Sequence, residues 1–341
     1  MTARRALNRV RGGLHLLAAP GVALALALGC SPPEDPALTI EHAITAGDTG
    51  ALERGVSALV ETADGDAKRP ALLAFAAEHG DAATVSILLE AGWPATTADD
   101  GGRTPLHAAA AGGDVDVATL LLGHGHTVAP RTIEGWTPVH EAARAGHAPM
   151  IDLLVARGAA VDTKTTGGVT PLYLALQSGA ADATRALLDH GAAVDEATVS
   201  GWTALLVAAR GGDPATLELV IAAGADPRVR GPGGVTPLHV AARGDHAEAI
   251  ALLVARGAGV DASDAEGETA LHVAASVGAV GAVEALIAQG ARLDSVRADG
   301  RTPLHLAASE SQPEAAFVLI AAGAPIEVRS SLERPNEAGY H

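Results

Sequence analysis

A spacing of 33 residues runs through most of this chain and limits what it can become. A Thr recurs at Thr104, Thr137, Thr170, Thr203, Thr236, Thr269 and Thr302. A second marker keeps the same interval, at Gly92, Gly125, Gly158, Gly191, Gly224, Gly257, Gly290 and Gly323. The words around the Thr repeat as well: "GRTPLHAAAAGGD" (102–114) returns as "GWTPVHEAARAGH" (135–147), "GVTPLHVAARGDH" (234–246), "GETALHVAASVGA" (267–279) and "GRTPLHLAASESQ" (300–312). Two landmarks with one period define an internal repeat and predict a stack of like units.

The residues of one unit predict two short helices. Thr is a good N-cap because its hydroxyl can accept from a free N–H of the first turn. The Pro after it suits the first helical position, where no N–H is needed. Leu106, Ala109 and Ala110 fall at i, i+3 and i+4 on one face. Gly112 and Gly113 end this helix, and Val117, Leu120, Leu121 and Leu122 mark a second one before Gly125. Gly125 fits the left-handed residue that closes a helix. The segment that follows, "GAAVDTKTTGGV" at 158–169 for example, is rich in Gly, Asp and Thr and reads as turn. Helices this short are marginal alone in water. The units must therefore stack, burying Leu106, Val139, Leu172, Leu205, Leu238, Leu271 and Leu304 in a thin core. Such a core needs many small side chains, which explains 48% hydrophobic residues with only 2% aromatic.

The 33-residue period with T-P-L-H-x-A-A resembles ankyrin repeats. The likeness is close for units starting near 99, 132, 231, 264 and 297. It is weaker at 165, where Tyr173 replaces the signature His, and at 198, where "TALL" (203–206) lacks both Pro and His. "ALLAFAAEHGD" (71–81) and "LTIEHAITAGD" (38–48) align as degenerate first units, as in a capping repeat. The resemblance implies an all-α solenoid of nine helix-turn-helix units over 38–330, joined by β-turn or hairpin fingers, with a tail at 331–341.

Residues 1–29 stand outside the repeat. Arg4, Arg5, Arg9 and Arg11 precede an apolar run from Leu14 to Gly29, broken only by His15. That run is short for a membrane span and suits a signal peptide. It ends in "ALGC" (27–30), where Cys30 is the single Cys of the chain and resembles the lipidated Cys of a bacterial lipoprotein. A plain secretory signal and a buried Cys are the alternatives. Residues 30–37, containing "SPPEDP", read as a short stiff tether, and Ser31 resembles the outer-membrane sorting choice, placing the protein on the periplasmic side of a bacterial outer membrane. With one Cys no intramolecular disulfide can form. Removing the leader, with four Arg and no acid, would leave the chain four charges more negative than its formal −17. That balance disfavours nucleic acid as a partner, and a membrane would be met only through the lipid anchor.

The fourteen His invite a search for chemistry. The resemblance implies that His107, His140, His239, His272 and His305 are structural, bonding around the Thr turn. His124 and His126 straddle a helix end with no Cys or acid near in sequence, a poor metal pair. "HEAAR" (140–144) has Arg144 where a zinc helix needs its second His. "GPGGV" (231–235) has no following Lys and reads as a turn. No Ser, His and acid set stands out, so no catalytic residue, cofactor or metal is expected.

In ankyrin repeats the residue before the signature Thr points from the turn into a groove. Here the successive occupants are Arg103, Trp136, Val169, Trp202, Val235, Glu268 and Arg301. A Trp in a frame that elsewhere tolerates Arg, Glu or Val is either a binding anchor or packing on neighbouring turns. Trp93, after a helix-ending Gly, reads as local packing. After the Ala-Ala pair come Arg144, Arg210 and Arg243, either a basic stripe along the groove or a solvated helix surface. With helices spaced about 8–10 Å, the two groove Trp would sit roughly 20 Å apart. The sequence thus predicts a non-catalytic module in which Arg103, Trp136, Arg144, Trp202, Arg210, Val235 and Arg243 bind a protein or extended peptide with an acidic surface. A metal- or small-molecule-dependent enzyme and a cytosolic regulator are the rival readings.

Overall fold

The computed structural model describes residues 35–60 and 65–326. The predicted leader, Cys30, most of the tether and the 331–341 tail lie outside the described residues. Within them, eighteen α-helices follow one another in nine pairs. The only β pairing among the described residues is an isolated antiparallel bridge between Ser263 and Thr269. The fingers are therefore hydrogen-bonded turns.

The chain forms two compact units, divided between Lys68 and Arg69. In the first, Pro36–Ala46 and Thr49–Val60 pack together, with Ile40, Ala43, Ile44, Leu52 and Val56 buried. The first helix begins two residues inside the segment read as tether. Asp35 is its N-cap, accepting from the Ala37 N–H at 3.0 Å, and Pro36 occupies the first helical position. An acidic cap followed by Pro makes this a helix start. The sequence reading missed it because no Thr-Pro stands there.

The second unit is a two-layered stack. Its first-helix layer contains Pro105–Gly112, Pro138–Ala145, Pro171–Ser178, Ala204–Gly211, Pro237–Arg243, Ala270–Val277 and Pro303–Ser309. Each packs on the next. The second-helix layer runs from Ala82–Glu90 to Pro313–Ala321 and stacks in the same way. Leu106, Val139, Leu172, Leu205, Leu238 and Leu271 are at most 1% exposed. Each such side chain stabilises the stack by about 1.5–3 kcal/mol. Leu304, in the last described unit, is only half-buried because no further unit covers it among the described residues.

The signature His joins the units. Its Nδ1 accepts from the N–H of the capping Thr, at 3.1 Å for His107 on Thr104 and for His140 on Thr137. The Thr hydroxyl lies 2.8–3.0 Å from the same nitrogen in all five units that carry the His. The opposite nitrogen, Nε2, donates to a main-chain carbonyl 29 residues on: Trp136 from His107, Val169 from His140, Glu268 from His239 and Arg301 from His272. A carbonyl can only accept, so the neutral ring carries its proton on Nε2.

The fingers add a second set of links. Ile133 N–H donates to Gly101 C=O at 2.9 Å, and Thr166, Val199, Ala265 and Ala298 repeat the bond one finger on. Gly135 closes its finger at φ +83°, and a Cβ there would lie 3.2 Å from the backbone of Thr165. The joint between the Thr203 and Thr236 units has neither link. Pro232 has no N–H to give the preceding finger, and Leu206 replaces the His. Thr203 Oγ1 is consequently buried without a hydrogen-bond partner.

Candidate partner-binding groove

The residues before each Thr are held by their main chains. Trp136 C=O accepts from Thr132 N–H at 2.9 Å and from His107 Nε2–H at 3.2 Å. Its own N–H donates to Thr132 Oγ1 at 3.0 Å. With the backbone fully engaged, the half-buried indole is presented beside the helix Pro138–Ala145. Trp202 is placed alike by Thr198, whose N–H meets its carbonyl at 2.9 Å and whose Oγ1 accepts its N–H at 3.1 Å. It lacks the bond from the preceding unit because Tyr173 stands where the His would be.

All seven groove residues predicted from sequence fall in two clefts. Arg103, Trp136 and Arg144 line the first, of about 590 Å3, with Asp99, Gly101, Thr132, Ile133, Glu134 and Glu141. Trp202, Arg210, Val235 and Arg243 line the second, of about 490 Å3, with His239, Val240, Gly244, Asp264, Glu268 and Val273. Both volumes lie in the ordinary range for ligand-accepting sites. Trp93, by contrast, is 3% exposed and belongs to the core.

The three arginines expected to form one basic stripe are not equivalent. Arg144 Nη2 lies 2.8 Å from Glu141 Oε2, and its guanidinium carbon sits 5.9 Å from the Trp136 ring centroid. A cation over an indole at an exposed site adds about 0.5–1 kcal/mol. Arg103 pairs with Glu78 at 3.1 Å and approaches Glu141 at 3.8 Å. Arg210 and Arg243 are exposed and have no acidic partner within 4.0 Å among the described residues. The stripe thus has free charge only in the second cleft. The residue responsible is Glu141, only 8% exposed, on a groove-floor position that Ala108, Leu174, Val207, Val240, Val273 and Leu306 fill in the other units. In the sequence Glu141 stands in "HEAAR" (140–144), which is not a zinc motif. Its spacing of three residues from Arg144 on a helix was the available signal.

Fingertip residues were also missed. Ile133 is 74% exposed and Val199 81%, each three residues before a groove Trp. The pairs Ile133–Trp136 and Val199–Trp202 lie in units two apart, so the apolar surface recurs with a gap of one unit.

The histidines do different work. His107, His140, His239 and His272 use both ring nitrogens in structural bonds, and burial lowers the pKa of each, that of His140 to about 4. They are neutral near pH 7 and have no lone pair to spare. His124 is exposed and His126 is buried, with an Nε2 that finds no hydrogen-bond partner and a pKa lowered to about 4, chiefly by burial. Among the described residues no three of His, Cys, Asp or Glu gather in a way that could hold a metal ion. No described helix is long and apolar enough to cross a membrane.

A stack of capped helix pairs joined by hydrogen-bonded turns defines an all-α repeat protein. The family model for ankyrin repeats, in sets of three copies, matches in overlapping stretches from 43–131 through 238–330. The chain belongs to the ankyrin-repeat family. Among solved structures it is similar to the human ASB11 ankyrin repeat domain, with 31% identity and a TM-score of 0.59. That likeness covers 65% of this chain and 99% of the ASB11 domain. No curated protein matches this sequence.

Proposed function

We propose that the protein is a non-catalytic interaction module whose groove binds a partner protein, or an extended peptide, bearing acidic groups. One observation carries this reading. Two half-buried Trp with no role in the repeat signature stand on the same groove face, each in a cleft that also contains arginine. Trp and Arg are the residue types most enriched among interface anchors. Membership of a family that generally binds proteins supports it.

The proposal includes a place of action. The Arg-led apolar leader ending at Cys30 supports export and lipid anchoring at a bacterial envelope, on the periplasmic side of the outer membrane. Cys30→Ser is expected to release the protein from the membrane fraction or leave it unprocessed, since stable anchoring needs lipid chains on that thiol. Unmodified wild-type protein in the cytosol would overturn the envelope assignment and favour a cytosolic regulator. The groove is tested separately, by capture of partners from a detergent-solubilised envelope with wild-type protein and with Trp136→Ala and Trp202→Ala. A partner retained equally by all three refutes the groove reading.

A further inference from the structure

We propose that the Trp202 cleft receives an acidic side chain carried next to an apolar one on an extended partner segment, and that the Trp136 cleft does not take an anion. The proposal rests on the groove reading above and assigns different chemistry to its two halves.

The two clefts share one register. Trp202 and Arg210 occupy the positions of Trp136 and Arg144, two units on. They diverge at the floor. In the Trp136 cleft, Glu141 pairs with Arg144 at 2.8 Å and approaches Arg103 at 3.8 Å, and Arg103 also holds Glu78. Glu134 lines the same cleft, as does Asp99, whose Oδ1 accepts the N–H groups of Gly101 and Arg103 at 2.9 and 2.8 Å. An incoming carboxylate would meet more acid than free guanidinium there. Two units on, Val207 replaces Glu141, and Arg210 has no internal partner.

The Trp202 cleft has two acids of its own, and both are engaged. Glu268 Oε1 accepts from Arg297 Nη1 at 2.6 Å. Asp264 Oδ1 accepts the N–H groups of Glu266 and Glu268, each at 2.9 Å. Arg210 and Arg243 are left exposed, with no acid within 4.0 Å among the described residues. A guanidinium is planar and always charged, and its donors match a carboxylate two at a time. The same cleft is lined by Trp202, Val235, Val240 and Val273, of which Val273 is buried. Apolar lining in a cleft with two free cations fits an aromatic or aliphatic side chain adjoining a carboxylate. It does not fit a multiply charged anion, which would leave that lining in contact with charge.

Three capped dipeptides test this on the full chain: N-acetyl-phenylalanyl-glutamyl amide and its glutaminyl and lysyl counterparts. The indole N–H resonances of Trp136 and Trp202, assigned through Trp→Ala variants, report each cleft by NMR titration. The glutamyl probe is expected to shift the Trp202 resonance saturably and to bind about fivefold more tightly than the glutaminyl one, the scale of one exposed charge pair. The Trp136 resonance should show no preference for the glutamyl probe. Arg210→Gln with Arg243→Gln should erase the preference at Trp202 while the melting temperature stays unchanged, because both side chains are exposed. Equal affinities, no Trp202 shift by any probe, a preference that survives the double substitution, or an equal preference at Trp136 each overturns the assignment. If the probes fail while Trp202→Ala still weakens partner capture, the groove reading stands and only this assignment falls.

Discussion

His107 Nε2 donates to the carbonyl of Trp136 across 3.2 Å, from one repeat to the next. One residue belongs to the folding signature and the other to the candidate site. The same ring accepts from Thr104 N–H at 3.1 Å. A single imidazole therefore caps its own helix and fixes the main chain from which the neighbouring indole is presented. At Trp136 the groove is built on a link of the stack itself.

Where that link is missing, restoring it should help. At Leu206 the unit has no His, Thr203 Oγ1 is unsatisfied, and Pro232 removes the finger bond to the following unit. Leu206→His is expected to stabilise the protein by about 1 kcal/mol, the net value of a well-made hydrogen bond. The readout is a higher urea midpoint at unchanged slope. A clear loss would mean that packing under the finger matters more. A Cβ on Gly231 would lie 2.5 Å from Leu206 Cδ1, so the finger rests directly on that side chain.

Acid should loosen the second unit. Burial lowers the pKa of His126 and His140 to about 4, and those of His107, His239 and His272 in the same direction. Unfolded His titrates near pH 6.5, so between about 6.5 and 4 the unfolded chain binds more protons. Stability is then full above pH 6.5 and falls as pH drops toward 4. Denaturation midpoints at pH 7.5, 6 and 5 will show the slope. His126→Ala, matching Ala159 and Ala192 in the following units, should flatten it. A pH-independent midpoint would contradict the role of burial.

The indoles should matter for binding more than for folding. Trp136→Ala and Trp202→Ala are each expected to weaken partner binding by about 2 kcal/mol or more. Both side chains are half-buried and other units place Val, Glu or Arg there, so melting should change little. Isotherms beside thermal melts separate the effects. Early melting with unchanged binding per folded molecule would make them packing groups.

Removing one whole repeat, residues 231–263, should leave a shorter folded protein, because stability in such arrays is a sum of units and nearest-neighbour interfaces. Deleting sixteen residues from the same place breaks the 33-residue frame and should cost far more. Circular dichroism melts of both compare them directly. Similar damage from the two would argue against stacking as the source of stability.

Much of this was open to reading in the chain itself. Each Thr from Thr104 to Thr302 is the N-cap of its helix, as the spacing predicted. Caps, closing glycines and the apolar face act within a few residues, and repetition copies them without loss. Trp136, Trp202 and their arginines stood out for the same reason, as departures from a fixed frame. Pro232 and Leu206 already spelled out a joint short of bonds, since a Pro has no N–H and a Leu no ring nitrogen.

The state of the arginines was not open in the same way. Whether Arg103, Arg144, Arg210 or Arg243 is free depends on side chains brought near from adjacent units, such as Glu78 and Glu141 on Arg103. Long flexible side chains choose partners over a few ångströms, and sequence distance does not rank those choices. The sequence by itself determined the repeat, the helix starts of its Thr-marked units and the face that carries the candidate site, because those are local and periodic. Only the tertiary structure decided which charges on that face are already paired, because pairing is settled between units, in the geometry of the stack.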